Sequence, residues 1–149
     1  MKLTEKYFWV IAIMVLLLDQ GSKILVRKFI PIGKVFPLIP HVFSITHIRN
    51  SGAVFGTLEG ATTILTVLSV FAVVLIVYIE KSVNFPLKEI AFGMILGGIL
   101  GNFFDRLIFK NVTDFLFLHH FAVFNVADAA IDIGIAIFLY AYLRYERRV

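Results

Sequence analysis

The stretch GATTILTVLSVFAVVLIVYI, residues 60–79, decides the fold. It carries no charged side chain and matches the roughly 20 residues an α-helix needs to cross a hydrocarbon core. The rest of the chain has the same character. Of 149 residues, 60% are hydrophobic and only 16% charged, with a mean hydropathy of +0.92, where a soluble domain is about half apolar and a quarter charged. With 16 Phe the chain has ample apolar surface to collapse, so disorder is excluded. The length holds at most about four spans and one modest extramembrane segment. The absence of Cys removes thiol nucleophiles, disulfides, thiolate metal sites and lipidation of this chain. The net charge of +4 comes from Lys and Arg scattered in ones and twos, which fits lipid headgroups and implies no nucleic-acid partner.

Working outward, three further apolar stretches read as helices over about 7–27, 88–107 and 123–143. The first has a signal-peptide-like start, with Lys2 and Lys6 before an apolar run, but no small-x-small cleavage site follows and Ile24-Leu25-Val26 continue the pattern. An uncleaved helix is expected. In the third, Gly93, Gly97 and Gly101 recur every four residues beside Gly98, a face that lets another helix backbone come close. The segment 29–59 holds Pro31, Pro37, Pro40, Gly33, Gly52 and Gly56, which no continuous helix tolerates. Within it, Val42 to Ile48 is β-rich and roughly alternating, and Asn50-Ser51-Gly52 reads as a turn, so a short interfacial sheet is expected. The chain thus reads as an all-α membrane protein, one domain over 1–149, with four transmembrane helices and a small extramembrane β-segment between helices 1 and 2.

Helices joined by short connections alternate in direction, so the start of helix 1 and the ends of helices 2 and 4 share a face. Tyr7, Trp9, Tyr78, Tyr140, Tyr142 and Tyr145 fall there, as an aromatic belt at a headgroup boundary. The opposite face collects Asp19, Lys23, Asn50, Asn102, Asp105, Arg106, Asp114, Asn125, Asp128 and Asp132. Basic residues divide evenly. Lys2, Lys6, Lys81, Lys88, Arg144, Arg147 and Arg148 lie at the tyrosine face, and Lys23, Arg27, Lys28, Lys34, Arg49, Arg106 and Lys110 at the other, so charge assigns no orientation. The Arg144-to-Arg148 tail reads as a headgroup anchor.

An acid within a membrane span costs about 2.5–3.5 kcal/mol on insertion scales, so each needs a partner or a function. Asp19 and Lys23 stand at i and i+4 with the acid first, the favourable order for mutual pairing. Asp105 has Arg106 beside it, and Asn102 lies one turn before Arg106, a cluster able to satisfy itself or to hold a substrate backbone. Asp114, Asp128 and Asp132 have no sequence-local cation. Asp132 lies about 6 Å deeper than Asp128 along a helix, so depth favours Asp114 and Asp128 meeting at the boundary. Two close carboxylates share one proton, leaving a base to activate water and an acid to protonate a leaving amine. Four His with no H-E-x-x-H spacing make a poor metal site. Ser22 and Lys23, about 100° apart on a helix, make a poor Ser–Lys hydrolase.

Five blocks then carry a resemblance: Asp19-Gln20-Gly21-Ser22-Lys23; Arg49-Asn50-Ser51-Gly52-Ala53 with Phe55-Gly56; Gly101-Asn102-Phe103-Phe104-Asp105-Arg106; Val112-Thr113-Asp114-Phe115; and Phe124-Asn125-Val126-Ala127-Asp128. Over nearly its whole length the chain resembles the lipoprotein signal peptidases, also called signal peptidase II. The resemblance implies a four-helix bacterial inner-membrane aspartic endopeptidase, multi-pass, with cytoplasmic termini, an active site at the outer leaflet and an extramembrane β-cradle in the segment after helix 1. It implies Asp114 and Asp128 as the catalytic dyad. Asn102, Asp105, Arg106 and Asn125 match supporting and substrate-contacting positions, while Asp19, Lys23, Asn50 and Gly52 match further motif residues. Asp132 matches none. The implied substrate is a diacylglyceryl-modified prolipoprotein in membrane lipid, cut just before the lipidated cysteine by a monomer that uses no metal or organic cofactor and is inhibited by globomycin.

Two other classes compete. A proton-coupled exporter needs its acid near the bilayer midplane, with access to both sides, whereas these acids gather at one end. A non-catalytic assembly subunit would use the glycine face but not five acids on one side.

Overall fold

A computed structural model describes residues 3–52 and 61–146 of the chain. Ala53, Phe55 and Gly56 of the second block, and Arg147 and Arg148 of the tail, lie outside the described residues. The elements run α1 (Leu3–Phe29), β1 (Val35–Ile39), β2 (Phe43–Asn50), α2 (Ala61–Ser82), α3 (Lys88–Phe109), β3 (Val112–Leu118), β4 (Ala122–Phe124) and α4 (Val126–Glu146). All four helices are long and apolar enough to cross a membrane. The chain is a multi-pass membrane protein.

α3 is the central helix, packed by α1, α2 and α4, and its glycines set the spacing. A Cβ added at Gly93 would lie 2.8 Å from the Phe8 carbonyl oxygen, and one at Gly97 would lie 2.6 Å from that of Ala12, so this face presses on the α1 backbone. Gly98 faces the Ala127 carbonyl of α4, and Gly101 faces both Asp19 and Ala127. Without a hydrophobic force between helices in lipid, such close backbone approach is a main source of association energy.

The two ends of the bundle are closed by different chemistry. At the tyrosine end Phe8, Ala12, Phe85, Phe92, Ile95, Leu96 and Ala141 form a buried apolar cluster. Phe85 meets Phe92, Phe138 and Tyr142 at ring separations of 6.0, 5.7 and 6.3 Å. Here Lys88 pairs with Glu80 at 3.3 Å and donates to the Glu80 and Val83 carbonyls, joining the end of α2 to the start of α3. Tyr7, Trp9, Tyr78, Tyr140, Tyr142 and Tyr145 are all exposed, as a belt at a headgroup boundary requires.

The other end carries a four-stranded antiparallel sheet in the order β1-β2-β3-β4. Only half of it comes from the segment between α1 and α2. β3 and β4 come from the α3–α4 connection, and α4 begins at Val126, three residues later than the apolar pattern suggests, because Ala122–Phe124 pairs with Leu116–Leu118. α1 runs past residue 27 to Phe29 and stops just before Pro31, whose ring disfavours helix at the preceding residue. β1, with Pro37 in it, is exposed at every position and forms an edge of the sheet, where a missing N–H costs least. β2 carries a bulge between Ile45 and Ile48 opposite β3.

Candidate active site

The polar site begins with the amino end of α4, which in any helix leaves backbone N–H groups unpaired. Asn125 and Asp128 form a reciprocal cap. The Asp128 N–H donates to Asn125 Oδ1 (3.0 Å), and the Asn125 N–H donates to Asp128 Oδ2 (3.1 Å). A third donor, the Ala127 N–H, is taken by Asp19 Oδ1 of α1 at 2.9 Å. The placement of Asp128 is therefore fixed by helix capping, at the end of a helix that favours a negative side chain.

Asn125 also reaches the other candidate acid. Its Nδ2 donates to Asp114 Oδ1 at 2.7 Å and to Asn102 Oδ1 at 3.1 Å. Asn102 Nδ2 in turn donates to Asp128 Oδ1 at 2.7 Å. Asn50, in β2, donates from Nδ2 to Asp114 Oδ2 at 2.9 Å, and its Oδ1 accepts the Gly52 N–H at 2.8 Å. Gly52 takes φ 80°, a left-handed turn that holds Asn50 in place. Burial pushes the Asp114 carboxyl above the usual carboxylate range. The hydrogen bonds from Asn50 and Asn125 oppose that rise, and the nearby negative charge of Asp128 adds to it.

Beneath the pair lies a buried ionic cluster. Lys23 Nζ sits 2.8 Å from Asp19 Oδ2, 3.4 Å from Asp105 Oδ2 and 2.9 Å from Asn102 Oδ1, with Lys23, Asp19 and Asp105 all 0% exposed. One ammonium with three donors thus serves two carboxylates and an amide, which makes so deep a charge tolerable. The sequence pairing of Asp19 with Lys23 is present. That of Asp105 with Arg106 is not: neighbours on a helix point about 100° apart, and Asp105 instead takes Lys23, Arg27 (3.3 Å) and the Thr113 N–H (3.0 Å). Asn102, likewise, bonds Lys23, Asn125 and Asp128 rather than Arg106.

Arg106 turns the other way. Together with Asp128, Asn102 and Ser69 it lines a cavity of about 300 Å³ whose remaining wall is Leu65, Leu68, Ala72, Ile99 and Ile131. It lies within electrostatic reach of Asp128, Asp114 and Asp105. Asp132, one turn below Asp128, is exposed and lies outside this cavity. Gln20 and Thr113, which stand inside the motif blocks, and Arg27 join the site although the sequence alone assigned them no role in it. Gln20 Nε2 bridges Asp19, the Gly101 carbonyl and Asp105, and Arg27 joins Asp105 to Thr113 Oγ1. Arg27 was accessible to sequence reasoning, since positions 19, 23 and 27 form one stripe of a helix.

This polar network, at one end of four membrane-spanning helices and open to a cavity with one apolar wall, suits a membrane enzyme. Two solved structures described as bacterial membrane enzymes share the fold. One superposes with a TM-score of 0.80 at 32% identity, covering 91% of this chain and 86% of the other. The second has a TM-score of 0.77 at 29% identity and covers 88% of each. Residues 11–144 match the family model for Signal peptidase (SPase) II. Lipoprotein signal peptidases are close relatives: that of Anoxybacillus flavithermus is 38% identical, over 95% of this chain and 88% of its own length. Those of Halalkalibacterium halodurans (37%; 95% and 94%) and Microcystis aeruginosa (39%; 97% and 97%) are similar to the same degree. The chain belongs to the signal peptidase II family, and is a peptidase.

Proposed function

We propose that this chain is an aspartic endopeptidase that removes the signal peptide from diacylglyceryl-modified prolipoproteins, cutting before the lipidated cysteine, with Asp114 and Asp128 as its dyad. The observation that carries the reading is the Asn125 clamp, which donates to Asp114 from its side chain and to Asp128 from its backbone. It ties two acids on different elements to one residue. Asp114, deep and pushed up by burial, holds the proton. Asp128, which lines the cavity, is the base.

In the reaction Asp128 takes a proton from water as its oxygen attacks the scissile carbonyl. The Asp114 proton passes to the departing amine nitrogen as the C–N bond breaks, and transfer from Asp128 to Asp114 resets the pair. Arg106, on the cavity wall, faces the substrate backbone and the developing oxyanion. The apolar wall formed by Leu65, Leu68, Ala72, Ile99 and Ile131 takes apolar parts of the lipid-modified substrate. Asp19, Lys23 and Asp105 hold the helices that position these groups, while Asn50 with Gly52 and Asn102 position the dyad itself.

The enzyme works in this reading as a monomer in the bacterial inner membrane, termini in the cytoplasm and sheet end at the outer leaflet, where the acyl chains of the substrate anchor the bond. The test is conversion of a purified diacylglyceryl-precursor by wild type, Asp114→Asn and Asp128→Asn. Both variants should fold and lose at least about 10²–10⁴-fold in rate, the worth of a general acid or base. Mass spectrometry of the wild-type product should show the lipidated cysteine at its amino terminus. Asp132→Asn should cleave normally. Near-normal turnover by either Asn variant removes that residue from the dyad, and inactivity of the Asp132 variant means the pair is misassigned.

A further inference from the structure

Away from the cavity of the dyad, a second polar cavity of about 160 Å³ is lined by Arg27, Arg49, Phe109, Asn111 and Thr113. It sits over the last turns of α1 and α3, where both helices leave the apolar span. Two guanidiniums from different elements converge there. Arg27 uses Nη1 for Asp105 and Thr113 and lies over the Phe109 ring at 4.3 Å, which fixes its plane. Arg49 stands opposite Thr113 in the β2–β3 register, and its side chain is exposed. Phe29 at the end of α1, and Leu107, Ile108 and Phe109 at the end of α3, are large apolar residues with exposures of 66, 48, 63 and 44%. The arrangement is thus a recess holding two guanidiniums, one of them paired with Asp105, at the ends of two membrane-spanning helices that also carry exposed apolar side chains.

We propose that this recess binds the phosphate of a membrane phospholipid, with the phosphate oxygens between Arg27 and Arg49 and the acyl chains running past Phe109 along the exposed apolar side chains at the ends of α1 and α3. The chemistry favours this ligand. Guanidinium donors match phosphate oxygens in forked geometry, and basic pockets at helix ends in a membrane recruit lipid headgroups. Lys23 and Arg27 together balance Asp19 and Asp105, so the net positive charge toward the opening is that of Arg49. A phospholipid, unlike a free anion, satisfies the basic recess and covers exposed apolar side chains at the same helix ends.

The experiment is native mass spectrometry of the detergent-purified protein, supplied either with palmitoyl-oleoyl-phosphatidylglycerol or with the diacylglycerol of the same chains that lacks the phosphate. Retention of the phospholipid should exceed that of the diacylglycerol by about tenfold. Arg49→Gln should lower phospholipid retention about fivefold with thermal stability unchanged, since the side chain is exposed. Lys110→Gln, which removes an equal charge from the same end without touching the recess, should leave retention near wild type. Equal losses in the Arg49 and Lys110 variants would mean diffuse surface charge and overturn the site. Equal retention of the two lipids would overturn the phosphate. Full displacement of the lipid by inorganic phosphate at matched concentration would make it a free-anion site and overturn the lipid.

Discussion

At the scale of single residues, the working parts are set by competition for hydrogen bonds. Asp114 is pulled in two directions: burial favours its protonated form, and the amides of Asn50 and Asn125 favour the charged one. Deleting a donor to the carboxylate therefore moves its pKa further up. If Asp114 holds the catalytic proton, its ionisation forms the alkaline limb of the rate–pH profile, so Asn50→Ala should shift that limb to higher pH while lowering the maximum rate. The profile of kcat against pH on a lipidated precursor measures it. Movement of the acid limb instead would assign the proton to Asp128. The same sign governs stability: a carboxyl raised on folding contributes fully below its unfolded pKa, and that contribution is lost as pH rises through the folded value. The residues of this network were legible in part. Asp19 with Lys23 could be read from their spacing, and Asp114 and Asp128 from having no local cation, with depth along the helix setting aside Asp132, which shares that lack. The partnership of Asp105 with Lys23 could not, because Lys23 is brought to it from another helix by packing that no local spacing encodes.

At the scale of elements, α3 positions everything. Its glycines face two partners, and the consequences of filling them should separate. Gly97→Ala puts a Cβ 2.6 Å from the Ala12 carbonyl and 2.7 Å from Val15 Cβ, so α1 must move away, at a cost of about 1–3 kcal/mol. Gly98→Ala presses on the Ala127 carbonyl in the first turn of α4, next to Asp128, and should lose activity out of proportion to stability. Gly21, with nothing near its added Cβ, is the control: its Ala variant should be neutral or more stable by up to ~1 kcal/mol. Thermal unfolding in detergent beside turnover of the precursor checks the three, and equal behaviour of the Gly97 and Gly98 variants would refute the division. The helices were legible because each is an apolar run of spanning length. β3 and β4 were not. Val112–Leu118 is buried on both faces at its start, so it lacks alternation, and the short run Ala122–Phe124 reads as the beginning of the next helix.

At the scale of the whole molecule, the two ends differ in kind: aromatic rings and an apolar cluster at one, a sheet and the Lys23 ionic cluster at the other. Counting basic residues does not orient this body, because the sequence divides them seven to each face. The proposed function does: there the substrate's cysteine carries acyl chains in the outer leaflet, so the acids must lie at that leaflet and the sheet end should face outward. Since the chain has no native Cys, single substitutions report on this without background. Lys34, beside β1, and Lys81, at the end of α2, are both exposed and lie at opposite ends of the bundle. In intact spheroplasts a membrane-impermeant maleimide should label Lys34→Cys at once and Lys81→Cys only after lysis. The reverse pattern would place the dyad on the cytoplasmic side, out of reach of a lipid-anchored bond in the outer leaflet, and the proposed orientation would fail while the fold and its family stood.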